Sequence, residues 1–202
     1  LNIIDSIVPT AGTIASDGNV NLYFSSATQT GRVGVINTGA ITGDVITTIQ
    51  RPGGNTDWIL MGYPGIVPAA SDFTVYEGQF TMKCSHCPDG YAGFTSVDYW
   101  SETAAVDLSG ATGYTEISNT TDPMSNGVGY WFYMGQSTPT TPAIPIRVSG
   151  TVQSGVGAGI DMPLTANHTG YNLVANPVPS PISWTALRNG NGSVSTTDRK
   201  SV

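Results

Sequence analysis

Charge is scarce in this sequence of 202 residues, and this scarcity sets the first limits on function. Only 10% of the residues are Asp, Glu, Lys or Arg, and the formal net charge is -7. Seven basic residues scattered along the chain do not make the clustered positive surface that binds phosphate backbones. The sequence therefore predicts no contact with nucleic acid.

Helix-favouring residues and long apolar runs are also scarce. Lys and Glu are rare, whereas Thr, Ser, Val and Gly are abundant, a composition typical of strands and turns. No apolar run approaches the roughly 20 residues of a membrane-spanning helix. Hydrophobic residues, at 39%, still suffice for a core. We therefore predict an all-β protein that does not insert into a membrane.

Motifs of catalysis are missing as well. The sequence contains no Gly-x-Ser-x-Gly elbow, no His-Glu-x-x-His and no phosphate-binding glycine loop. His86 and His168 are its two histidines, and Glu77, Glu102 and Glu116 show no spacing that suggests a carboxylate pair. We predict a protein that is not an enzyme and needs no cofactor.

Short β-like runs separated by turn residues fill the chain at a spacing of about ten residues, a pattern typical of a β-sandwich or jelly roll. We expect one module over residues 1–202, with two small β modules, 1–125 and 126–202, as the alternative. The predicted strands are Val20–Ser26, Gly31–Asn37, Gly43–Arg51, Asp57–Tyr63, Phe73–Lys83, Thr95–Ser101, Gly127–Gly135, Ile144–Gly155 and Tyr171–Ala175.

Two segments of the chain resemble each other. Trp58–Phe73 and Tyr171–Ala186 both begin with an aromatic residue, continue with a mostly apolar stretch, and carry two prolines four residues apart. Each pattern favours a core strand that is ended by proline. The similarity is compatible with two pseudo-repeated halves or with chance.

The run Gly129–Gly135 is aromatic on both faces if it is a strand, because side chains alternate. One set can fill the core, and the other is then buried by another element, packed in a protein interface or used to stack on sugar rings. We take Trp131 and Tyr133, with Trp100 from a neighbouring predicted strand, as candidate glycan or partner contacts. The two sets are Tyr130, Phe132 and Met134 on one face, and Trp131 and Tyr133 on the other.

Acidic turns raise the question of structural calcium. Asp17-Gly18-Asn19 and Asp89-Gly90 offer oxygen ligands, but neither has the carboxylate density of a calcium-binding loop. Turn formation explains both better, so we predict no metal site, with structural calcium as the minor alternative.

The segment GYNLVANPVPSPISW, Gly170–Trp184, resembles a motif of large secreted surface proteins from gliding and biofilm-forming Gram-negative bacteria, which are exported by type IX secretion. The run from Val20 to Pro64 is similar to another part of those proteins. The resemblance implies an extracellular or cell-surface location and carries no catalytic residues. It also implies that the chain is a fragment of a longer protein, since the family's C-terminal sorting domain is missing. We expect Trp184 to cover one end of the core.

Cys84 and Cys87 are the two cysteines of the chain and lie three residues apart. In an exported protein they most simply form a local disulfide, which closes so small a loop that it adds little stability. Free thiols, or a zinc site that includes His86, are the alternatives.

The N-terminal segment is unusually apolar for a chain end, which normally frays. Ile3, Ile4, Ile7 and Val8 predict a strand that lies in a sheet, either within its own module or against a neighbouring copy. We take them as a candidate assembly strand.

These patterns together favour a non-catalytic structural or adhesive module of a bacterial surface protein or filament. Its expected partners are other modules or copies of the same protein. The alternative is a carbohydrate-binding module of a secreted enzyme. A flat exposed row of Trp and Tyr would favour glycans, whereas buried aromatic residues with exposed strand edges would favour assembly.

Overall fold

A computed structural model describes residues 1–26, 29–34, 36, 38–51, 57–68, 73–75, 86, 95–101, 113–134, 144–152, 164, 172–183 and 185. Strands dominate this part of the chain, which confirms the all-β prediction; a sandwich or jelly-roll arrangement stays a prediction. The strands are β1 (Asn2–Ile3), β2 (Ser6–Ile7), β3 (Thr13–Ala15), β4 (Val20–Ser26), β5 (Gln29–Thr30), β6 (Arg32–Val33), β7 (Ala40–Thr42), β8 (Asp44–Arg51), β9 (Asp57–Met61), β10 (Gly65–Ile66), β11 (Phe73–Val75), β12 (Val97–Trp100), β13 (Tyr114–Glu116), β14 (Tyr130–Met134) and β15 (Ile144–Val152).

The chain up to the end of β8 winds into a coil of parallel strands. β1 lies beside β4 and β4 beside β8, while β2 lies beside β6 and β3 beside β7, all in parallel. Asn2 pairs with Asn21, 19 residues later, and Thr13 with Ala40, 27 residues later. We call β1, β2 and β3 the first rung, and β4, β6 and β7 the second rung.

Aliphatic side chains fill the inside of this coil. Each of the three strand pairs places one residue of the first rung over one residue of the second rung. All six of these residues belong to one buried cluster or pack against it. This stacking explains how strands of two or three residues persist, since each buries apolar surface against its neighbour. The stacked pairs are Ile3 with Leu22, Ile7 with Val33, and Ile14 with Ile41.

The chain turns a corner between β7 and β8, above the corner between β3 and β4. The backbones of these two corners stack closely. Gly43 adopts a φ of 74°, and a Cβ there would lie 2.6 Å from the Asp17 carboxylate oxygen of the rung below. The Ser16 N–H donates to the Thr42 carbonyl oxygen at 2.8 Å, and the Gly18 N–H donates to that of Asp44 at 2.8 Å. Glycine is favoured at such a position because it tolerates both the positive φ and the short distance.

The far end of the coil is covered by antiparallel strands. β8 pairs along its length with β15, and β15 pairs in turn with β10 and β11. Tyr63 fastens this region: its buried hydroxyl donates to the Val45 carbonyl oxygen at 2.6 Å and lies 2.9 Å from that of Gly150. Burial raises the pKa of the Tyr63 phenol, so it stays a neutral hydrogen-bond donor.

A separate antiparallel sheet has the order β13-β12-β14-β9. Its inner side carries Phe132, Tyr130 and Val97, which belong to the same buried cluster as Leu22 and Val45 of the coil. The coil and the four-stranded sheet therefore share one hydrophobic core.

Residues 172–183, which we call the proline-rich segment, join the coil to the four-stranded sheet. Val174 forms an isolated bridge with Val128, next to β14. Further on, the Val33 N–H of β6 donates to the Pro179 carbonyl oxygen at 2.8 Å, and the Ser180 hydroxyl donates to the Val33 carbonyl oxygen. The predicted strand Tyr171–Ala175 is wrong in extent: residues 172–175 show one bridge, because the chain must turn through buried Pro177 and Pro179.

Candidate functional site

The outward side of the four-stranded sheet carries five of the aromatic side chains that the structure describes. Residues that pair directly across antiparallel strands share a face, so the register defines its members. Tyr133 pairs with Trp58, Trp131 with Leu60 and Asp98, and Trp100 with Tyr114. We call this surface the aromatic face; it consists of Trp58, Leu60, Asp98, Trp100, Tyr114, Glu116, Trp131 and Tyr133.

Rings on the aromatic face pack against one another at an angle. The Trp58 and Tyr133 ring centroids lie 5.3 Å apart with an interplanar angle of 58°, and those of Trp100 and Tyr114 lie 5.1 Å apart at 77°. Such tilted and edge-to-face pairs are favourable ring geometries. They do not form the flat row that would best suit sugar stacking.

Two carboxylates lie among these rings. Asp98 on β12 is directly opposite Glu116 on β13 and also opposite Trp131 on β14. Partial burial raises the pKa of Asp98; a hydrogen bond from Thr95 Oγ1, at 2.7 Å, opposes the rise, and the nearby charge of Glu116 adds to it. The pair could accept hydrogen bonds from hydroxyl groups of a ligand, since ionised carboxylates are acceptors only.

The predicted contacts Trp100, Trp131 and Tyr133 all lie on the aromatic face and are each half-buried. The prediction that alternation divides the β14 side chains is supported by Tyr130 and Phe132, which are buried on the other side. Sequence reasoning missed Trp58, Tyr114 and the two carboxylates, because only strand pairing brings them to Trp131. Their ligand-binding role stays a prediction.

The candidate assembly residues lie on the first rung of the coil. Ile3 and Ile7 are half-buried inside the coil, whereas Ile4 and Val8 are exposed. The segment thus forms two short strands, β1 and β2, that pair within the chain instead of one continuous strand. Their role in assembly stays a prediction.

A cleft of about 620 Å³ lies between the coil, β9 and the proline-rich segment. Apolar groups such as Ile49, Met61 and Leu173 line it, and Arg32 is the charged residue among its described lining. The Arg32 side chain lies 3.9 Å from the carboxylate of Asp5, which precedes the neighbouring strand β2. Among the lining residues that the structure describes, no two titratable groups are arranged for catalysis.

Several predicted features lie outside the described residues. Cys84, Cys87 and Trp184 belong to them, so the disulfide and the capping role stay predictions. His86 is described: it is exposed, and its N–H donates to the Ser118 carbonyl oxygen at 3.0 Å. Within the described ranges, no group of three His, Cys, Asp or Glu side chains is placed to hold a metal ion.

Comparison with protein families, with curated proteins and with solved structures finds no match. In the part of the chain that the structure describes, no helix is long and apolar enough to cross a membrane.

Proposed function

We propose that this chain is a non-catalytic structural or adhesive module of an extracellular bacterial surface protein. The observation that carries the proposal is the placement of exposed apolar residues beside strand edges at one end of the coil. Leu1, Ile4 and Val8 are 73%, 58% and 48% exposed next to β1 and β2. Edges of this kind pair with strands of other chains.

The resemblance of Gly170–Trp184 to surface proteins exported by type IX secretion supports the extracellular location. In this structure the segment serves to join the four-stranded sheet to β6, through Val174 and Pro179. A structural role for this motif agrees with a module that acts as a stable part of a larger surface protein.

Light scattering of the purified chain, coupled to size-exclusion chromatography, tests the proposal. We expect the average mass to rise above that of the monomer over about a hundredfold increase in concentration, because association follows mass action. A mass equal to that of the monomer at every concentration would contradict the assembly role.

Carbohydrate binding by the aromatic face is the second candidate function. Trp131 and Asp98 pair directly across β14 and β12, which favours this candidate because a ring for stacking then lies beside a hydrogen-bond acceptor. A glycan array should then show binding that is lost in Trp131→Ala and Trp100→Ala. Tyr23→Ala, on β4 of the coil, is the control that should leave binding intact. An array without any signal would remove this candidate and leave the structural proposal standing.

A further inference from the structure

The first rung has an open side. β1 is the terminal strand of its sheet, and β2 and β3 each belong to a two-stranded sheet whose other strand is in the second rung. No strand among the described residues pairs with the outer side of the first rung. Its three strands therefore present one edge in a common direction.

The interior of the coil is incompletely covered at the same place. Leu22, Val33 and Ile41 in the second rung are 1%, 2% and 6% exposed. Their stacking partners in the first rung, Ile3, Ile7 and Ile14, are only half-buried. A further layer on the first rung would remove this apolar surface from water, which is favourable by about 25 cal/mol per Å².

The open side also lacks the usual protection of an exposed strand edge, which is a charged side chain, especially Lys. The first basic residue of the sequence is Arg32, and Asp5 is the single charged side chain among residues 1–16. Asp5 itself lies 3.9 Å from Arg32. The net charge of the protein is -7, so two copies repel each other in general. At this end, where charged side chains are few, they can approach without strong repulsion.

At the opposite end of the coil two edges are occupied: β8 is paired with β15 over eight residue pairs, and Val33 of β6 is hydrogen-bonded to Pro179 and Ser180. These occupied edges disfavour head-to-tail stacking of copies into a filament. A contact between the open side and the same side of a second copy has a two-fold axis and produces a closed dimer.

We propose that the first rung, within residues 1–16, is the contact surface of a symmetric dimer of this chain. The inference rests on the proposed function and makes it specific. A two-fold axis perpendicular to the coil axis reverses the strand direction, so the facing edges would pair as antiparallel ladders. A contact of 16 residues from each copy is smaller than the roughly 20 to 30 residues per side of standard interfaces, so we expect a weak, concentration-dependent dimer.

Lysine at the open side tests this inference. Ile4→Lys combined with Val8→Lys places positive charges beside the edge at two exposed positions, where folding tolerates them, and should shift the protein to monomer at concentrations at which the unchanged chain is dimeric. The matched control is Ile66→Lys, which alters an apolar residue on β10 that is 46% exposed, close to the 48% of Val8. It should leave the dimer intact.

Hydrogen exchange measured by mass spectrometry gives a readout that needs no variant. Amides of residues 1–16 should become more protected as the concentration of the unchanged chain rises, while those of β10 should not change.

Persistence of the dimer in Ile4→Lys/Val8→Lys, its loss in Ile66→Lys, or unchanged protection of residues 1–16 would overturn the inference and leave the proposed function intact. Open-ended assemblies larger than a dimer would do the same. A monomer at every concentration would overturn both.

Discussion

Asp98 shows how a single residue acquires its properties from strand pairing. In the sequence it is one of eleven aspartates and belongs to no motif. In the sheet it faces Glu116 on one side and Trp131 on the other, and its partial burial disfavours the ionised form. The spacing of Asp98 and Glu116 in the sequence therefore does not predict that they form a carboxylate pair on this face.

Replacement of this carboxylate should stabilise the protein near neutral pH. Because the pKa of Asp98 is raised in the folded state, its ionised form destabilises the fold above that pKa; the effect decreases as the pH falls below it and is gone below the lower pKa of the unfolded chain. Asp98→Asn keeps an oxygen that can accept the hydrogen bond from Thr95. We expect a gain of about 0.5 kcal/mol in the free energy of unfolding, the scale of a cross-strand pair after screening by solvent.

Urea unfolding at a series of pH values measures this gain. It should be present at neutral pH and vanish in acid, where Asp98 is protonated in the unchanged protein as well. Asp5→Asn, at a residue whose side chain is 77% exposed, is the control and should show no comparable gain. A gain that is equally large in acid would contradict the electrostatic cause.

Among the elements, the longer strands were predictable and the coil was not. Val20–Ser26 was predicted with the bounds that the structure gives, and the predicted strand Gly43–Arg51 begins one residue before β8. Alternating or clustered apolar residues are a local signal, so they predict a strand even when its partner strand is unknown. β3 and β7, with three residues each, lack such a pattern.

The parallel pairing of the coil depends on contacts between residues that are far apart in sequence. Nothing in the local pattern of Thr13–Ala15 indicates that it will lie beside Ala40–Thr42. The decisive feature is the corner, where Gly43 stacks on Asp17. The sequence predicts Gly43 as the start of a strand and does not indicate a backbone approach between successive rungs.

A pair of glycine substitutions tests the importance of this corner. Gly43→Ala adds a Cβ in a positive-φ conformation and only 2.9 Å from the Asp17 backbone nitrogen, whereas Gly18→Ala, at a φ of 76°, meets nothing within 4 Å. Both should lose about 1 kcal/mol from the backbone conformation, and Gly43→Ala should lose roughly 1 to 2 kcal/mol more from the clash. Thermal unfolding monitored by circular dichroism measures the difference. Equal losses would mean that the rungs are not stacked closely at this corner.

The shared hydrophobic core decides how the whole molecule should behave. Phe132, fully buried on the four-stranded sheet, belongs to one cluster with Leu22 of the second rung and Ile146 of β15. The proline-rich segment is hydrogen-bonded to each of the same two parts, since Gly129 donates to Leu173 and Val33 donates to Pro179. Parts that share a core and are joined in this way should unfold together.

Phe132→Ala is the test of this cooperativity. Removal of a fully buried phenylalanine side chain should cost about 3 to 5 kcal/mol. Because the core is shared, the loss should lower hydrogen-exchange protection in the coil, for example at the Ala40 amide that donates to Gly12, as well as in β12 and β14. Ile66→Ala, at an exposed residue of β10 outside the first rung, is the control and should change neither region. Reduced protection that is confined to the four-stranded sheet would show that the coil is an independent unit, because its core would then be stable without Phe132.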